Sequence, residues 1–144
     1  MYVKFWGTRG SIPTPLTSTD LQQKIRQALA GAAGLDLADP AVLEQYVARL
    51  PFTVQQTVGG NTACLEVRAG DQRLIIDAGS GLRLLGFELM RQGFAAGQQR
   101  ADFLITHTHW DHIHGFPFFQ PAFIPRNHFT FYSPLPNLAE RLNQ

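Results

Sequence analysis

Residues 107–112 read His-Thr-His-Trp-Asp-His, and four of the chain's five histidines fall between positions 107 and 114. Strand residues two apart point to the same face. His107 and His109 leave the end of a strand expected at 102–106, so both imidazoles can turn onto one ion. Asp111 and His112 follow after one intervening residue, at a corner expected to turn into a helix at 112–115. That corner points them toward a second ion beside the first. Two ions about 3.5–4 Å apart can activate water and hold an anionic oxygen. Neutral imidazoles and a carboxylate suit zinc, with manganese or iron as alternatives. The competing reading is a coincidental surface cluster, but burying this many imidazoles without an ion would leave many polar atoms to satisfy. His114 lies two beyond His112, off the ligand pattern, and is read as a bystander. His128 opens an expected strand and is read as an ordinary strand residue.

The elements around the motif follow from periodicity and punctuation. Residues 2–6 (YVKFW) alternate and are β-prone, so they read as a strand. Gly7, Gly10, Pro13 and Pro15 then give a shaped loop. Residues 20–30 read as a helix capped by Asp20, with Leu21, Ile25 and Leu29 recurring every fourth position. A second helix is expected over 40–50, with Asp39 as its cap and Pro40 in its first position, ended by Pro51. After Gly59-Gly60, residues 62–69 and 73–77 form a hairpin about Gly70-Asp71. Residues 82–92 read as a helix, 102–106 and 128–133 as strands, and 137–142 as the start of a last helix.

Composition sets broad limits. The chain has 144 residues, 44% hydrophobic and 16% charged, with a formal net charge of +1. These are values of a folded globular domain, and one domain over 1–144 is expected. The small net charge gives no argument for binding nucleic acid or a membrane surface. No apolar run reaches the length of a membrane span. The single cysteine, Cys64, cannot form an intrachain disulfide. A cytoplasmic location is the expectation from these features.

Three segments carry a family likeness: KFWGTRGSIPTP at 4–15, GGNTACLEV with LIIDAGSG across 59–81, and ITHTHWDHIHGFPFF at 105–119. In this order they resemble the metallo-β-lactamase-fold hydrolases, most closely the branch of ribonuclease Z and related phosphodiesterases. The resemblance implies an α/β fold of the α+β type, a four-layer αββα sandwich, with a helical insertion at about 20–50 outside the likeness. It implies His107 and His109 at a first metal, and Asp111 and His112 at a second. It gives Asp111 the further task of orienting or deprotonating the attacking water. Asp77 matches the family's aspartate behind the site, where it supports a ligand by hydrogen bonding. Capping the turn before helix 82–92 is an alternative role for Asp77, and the two can coexist. Gly79 and Gly81 allow that tight turn. Asn61 and Thr62 are expected to fix the neighbouring loop.

The chain departs from the family downstream. The resemblance calls for a further histidine, a bridging aspartate and a final histidine after the motif, yet no aspartate follows residue 111. The expectation is therefore the N-terminal half of the sandwich, with apolar sheet exposed. It could pair with another copy or with a missing C-terminal half. The implied activity is metal-dependent hydrolysis of a phosphodiester, with a small molecule, nucleotide or RNA as substrate and two zinc ions in a complete site. A thioester, lactone or lactam hydrolase is a related alternative. A truncated metal-binding or oligomerising fragment without turnover is the non-enzymatic one.

Overall fold

Alternating apolar residues build the sheet. In the computed structural model, which describes residues 1–142, five strands lie side by side in chain order. They are β1 (Tyr2–Gly7), β2 (Cys64–Ala69), β3 (Gln72–Ile76), β4 (Arg100–Leu104) and β5 (His128–Tyr132). β1, β2 and β3 pair antiparallel; β3, β4 and β5 pair parallel. The β2–β3 hairpin turns at Gly70, whose φ of 58° suits a residue without a Cβ. Parallel neighbours need a long crossover, and a helix, α4 (Gly81–Arg91), lies in the one between β3 and β4. This mixed sheet with helices is the expected α+β class.

Period two and period 3.6 meet in the core. Ile75, Ala101, Phe103 and Ile105 pack with Leu82, Leu85 and Leu89 of α4, all buried. Phe103 is its aromatic hub. Its ring stacks on Phe131 at 4.8 Å and meets Phe119 edge-on at 5.5 Å. A buried ion pair joins Arg73 Nε to Glu66 Oε1 at 2.9 Å, and Trp6 Nε1 donates to the same carboxylate at 3.2 Å. By register, the opposite sheet face carries Val3, Phe5, Leu65, Val67, Leu74, Ile76 and Leu104. None of these is buried.

Pro15–Thr57 forms a compact unit of its own. It holds α1 (Ser18–Gly31), α2 (Pro40–Arg49) and α3 (Phe52–Gln55). Thr17, and not Asp20, is the cap of α1. Thr17 Oγ1 accepts from the Asp20 amide at 3.2 Å, while the Asp20 carboxylate accepts from the Thr17 amide at 3.0 Å. This reciprocal box uses both residues, so reading Asp20 as the cap placed the start three residues late. Asp39 and Pro40 begin α2 as expected. Pro51 ends it and also starts α3, one turn that the sequence pattern did not announce. Lys24 Nζ donates to the Val54 and Gln56 carbonyls, tying α1 to the chain at α3.

Candidate metal centre

The ends of two parallel strands position the site. β3 and β4 stop together, and the Asp77 amide donates to the Leu104 carbonyl at 3.0 Å. The loops that follow therefore leave side by side, an arrangement that places ligand sites at strand carboxyl ends in open α/β sheets. β4 ends at Leu104, two residues earlier than expected, so His107 and His109 stand in a loop. Strand alternation consequently does not govern them. Their rings still lie on one side, with centroids 4.6 Å apart, and His107 is 3.9 Å from the His112 ring. The expected helix at 112–115 is instead a single turn, α5 (Trp110–Ile113), which starts two residues earlier because extended His109 takes the cap position. Asp111 and His112 sit inside that turn.

Asp77 holds the histidines through its carboxylate. It is 5% exposed and adopts a φ of 60°, a left-handed conformation that aspartate tolerates better than most residues. Its Oδ1 accepts from the Thr106 amide at 2.9 Å, and the Thr106 hydroxyl lies 2.9 Å from both carboxylate oxygens. His112 Nδ1 lies 2.8 Å from Asp77 Oδ2, and His107 Nδ1 lies 2.9 Å from Thr106 Oγ1. An ionised carboxylate only accepts, and the single hydroxyl proton of Thr106 is directed at it. Both histidines must then donate from Nδ1, which leaves each Nε2 with a free lone pair. A single carboxylate thus fixes the tautomers of two rings. Asp77 does not cap α4, whose cap position is Ser80 without a side-chain bond.

The Asp111 side has a matching constraint. The residue is 8% exposed, and its Oδ2 accepts from the Ser11 amide at 2.8 Å. Burial opposes its ionisation, but the Ser11 hydrogen bond and the neighbouring His112 and His109 outweigh this and hold its carboxyl below the usual range. The same Oδ2 lies 3.4 Å from His112 Nε2. Two lone-pair-bearing atoms at that distance call for a cation between them, either a proton or a metal. Ligands about 2.0–2.2 Å from a tetrahedral zinc are roughly 3.3–3.6 Å apart, so this pair fits. Among the described residues, however, no group of three His, Cys, Asp or Glu side chains is disposed to hold a metal ion as it stands. The donors are of the right type; His107, Asp111 and His112 are oriented by hydrogen bonds, Asp111 and His112 stand at ligand spacing, and the His109 ring lies against that of His107.

Close backbone contact knits the two loops together. The Ala78 amide donates to the His112 carbonyl at 2.7 Å, and the Gly115 amide donates to the Ala78 carbonyl at 2.9 Å. A Cβ on Gly115 would collide with the Gly79 carbonyl, and one on Gly79 would collide with the Asp111 carbonyl and Thr62 Oγ1. Thr62 and Asn61 do fix their loop: Thr62 exchanges hydrogen bonds with Ser80, whose hydroxyl donates to Asn61 Oδ1. His114 Nε2 faces Thr62 Oγ1 at 3.5 Å, and His128 is exposed at the start of β5, at the opposite end of the strands from the motif. Thr106 and Ser11 join the site without belonging to the ligand motif. Thr106 had a readable signal, a hydroxyl directly before the first histidine. Ser11 acts through its backbone, which no side-chain pattern announces.

A family model described as the metallo-beta-lactamase superfamily matches residues 57–128, half of the chain. The chain belongs to the metallo-beta-lactamase superfamily. Members are generally metal-dependent hydrolases and usually bind divalent metals such as zinc. The match covers Asp77, the 107–112 motif and their strands, and leaves α1, α2 and α3 outside it. No curated protein and no solved structure matches the chain. Among the described residues, no helix is long and apolar enough to cross a membrane.

Proposed function

We propose that this superfamily member is a zinc-dependent phosphodiester hydrolase of the ribonuclease Z and phosphodiesterase type. Manganese or iron are alternatives to zinc. His107 and His109 hold a first ion, and Asp111 and His112 a second. The observation that carries this reading is the hydrogen-bonded series His107 – Thr106 – Asp77 – His112, which leaves both Nε2 lone pairs free, that of His112 lying 3.4 Å from Asp111 Oδ2. Such partners behind metal-binding histidines orient the ring and raise its basicity. A bound divalent pair supplies Lewis acidity toward the phosphoryl oxygens and lowers the pKa of water to near neutrality.

The chain's own residues supply the rest. Asp111 is held ionised by Ser11 and the histidines, so its carboxylate can accept a hydrogen bond from the attacking water and orient it. Asp77 and Thr106 keep the rings of His112 and His107 from turning. The Gly79–Gly115 contact holds the two loops in register. Hydrolysis of bis(4-nitrophenyl) phosphate with added zinc or manganese tests the reading. Wild type should turn over and His109→Ala should fall to background; equal rates in both would overturn it.

A second reading is a metal-binding module without turnover, favoured by the single pair at ligand spacing, Asp111 Oδ2 and His112 Nε2 at 3.4 Å. Metal binding that is lost in His109→Ala, with no hydrolysis by wild type of phosphodiester, thioester, lactone or lactam, would favour it.

A further inference from the structure

Beside the motif lies a cavity of about 360 Å³. Its wall includes Thr108, Trp110, Ile113, His114, Phe116 and Arg141. Thr108 sits between His107 and His109, so the cavity opens directly alongside the proposed ligand loop. Its lining divides into two kinds of surface. Trp110, Ile113 and Phe116 offer apolar contact, and Trp110 is 77% exposed. Arg141 supplies the charge.

Arg141 is anchored yet not neutralised. Its Nε donates to Asn137 Oδ1 and its Nη1 to Thr108 Oγ1, each at 3.0 Å. A guanidinium carries five N–H donors, so three remain. Among the described residues, no carboxylate lines this cavity and Arg141 forms no ion pair. A fixed cation with unused donors suits an anion, and a planar guanidinium suits phosphate geometry in particular. An exposed indole on the same wall suits a flat ring, which it can stack against. Pockets of this kind pair a largely apolar lining with a few oriented polar groups.

We infer that this cavity is a subsite for a phosphate ester carrying a flat aromatic group, with the phosphate on Arg141 and the ring on Trp110. The inference rests on the hydrolase reading for its purpose, since it would narrow the substrate to aryl-type phosphodiesters. Its own residues are separate from the four proposed ligands, so it stands or falls by a different measurement. Arg141 positions the anionic group and Trp110 selects the aromatic one.

The test is equilibrium binding by the chelator-treated full chain, with no turnover required. Phenyl phosphate and inorganic phosphate are titrated by calorimetry, with tryptophan fluorescence followed in parallel. Phenyl phosphate should bind at least about tenfold more tightly than phosphate, a difference of about 1.4 kcal/mol. Arg141→Gln should weaken phenyl phosphate at least about tenfold, and Trp110→Ala should bring it to the level of inorganic phosphate. Trp110→Phe should retain most of the affinity while losing the fluorescence change. His128→Ala, exposed at the far end of the strands and outside this cavity, should bind as wild type does. The inference is overturned if wild type shows no binding, if phosphate binds as tightly as phenyl phosphate, or if Arg141→Gln and Trp110→Ala leave affinity unchanged. Failure of the hydrolase reading would appear elsewhere, as absent metal binding or absent turnover with this affinity intact.

Discussion

Replacing Asp77 separates two jobs that its carboxylate performs. In Asp77→Ala the Thr106 amide loses its partner, and an orphaned, partly buried donor costs roughly 1–3 kcal/mol. The backbone at this position has a φ of 60°, and a residue other than glycine, asparagine or aspartate costs roughly 1–2 kcal/mol there. The sum is a stability loss of about 2–5 kcal/mol. Asp77→Asn keeps the left-handed tolerance and an oxygen for the Thr106 amide, so its loss should be about 1 kcal/mol. The second job responds differently. Either change removes the charged acceptor behind His112 Nδ1 and Thr106, and loss of such a partner lowers metal affinity by roughly 10–100-fold. Urea denaturation followed by circular dichroism measures the first effect, and competition with a chromophoric zinc chelator measures the second. Both variants should lose zinc affinity to a similar extent while differing in stability. Zinc binding by Asp77→Asn as tight as that of wild type, or wild-type stability in Asp77→Ala, would rule out these two roles.

Two further outcomes follow from the same contacts. Gly115→Ala places a methyl group against the Gly79 carbonyl, and overpacking of this kind costs about 1–3 kcal/mol. Denaturation midpoints should fall, and metal affinity should fall with them because the two site loops are pushed apart; an unchanged midpoint would contradict the close approach. Cys64 is fully buried, and that burial, with Asp77 and Glu66 nearby, pushes its thiol up from an ordinary value of 9.0. The folded chain should therefore resist a thiol reagent that labels it promptly in guanidinium. Because the folded-state value is the raised one, this contribution to stability is present below pH 9.0 and is lost as pH rises through the folded value. Denaturation scans on either side of that pH measure it.

What the sequence disclosed was what lives in residue types and short spacings. The motif at 107–112, the β2–β3 hairpin at Gly70 and the Asp39-Pro40 helix start each rest on local rules, and each was legible. Boundaries set by pairing across the sheet were less so. β4 stops at Leu104 with its neighbour β3, and no local signal in DFLIT marks that stop. His107 and His109 come together through the fold of a loop, although strand alternation was the reason for expecting it. Thr17 was overlooked as a cap because Asp20 is an equally good capping residue, and only the reciprocal bonds distinguish them. Ser11 binds Asp111 through a backbone amide across 100 positions of sequence, a contact without any residue-type signature.

We propose that His107, His109, Asp111 and His112 hold metal. Zinc titration of the metal-stripped chain against a chromophoric chelator tests it most directly, using wild type and single alanine variants at each of these positions, with His128→Ala as a control. Wild type should bind zinc, each of the four substitutions should weaken binding, and His128→Ala should leave it unchanged. No zinc binding by wild type, or binding that survives loss of both His107 and His109, would contradict it.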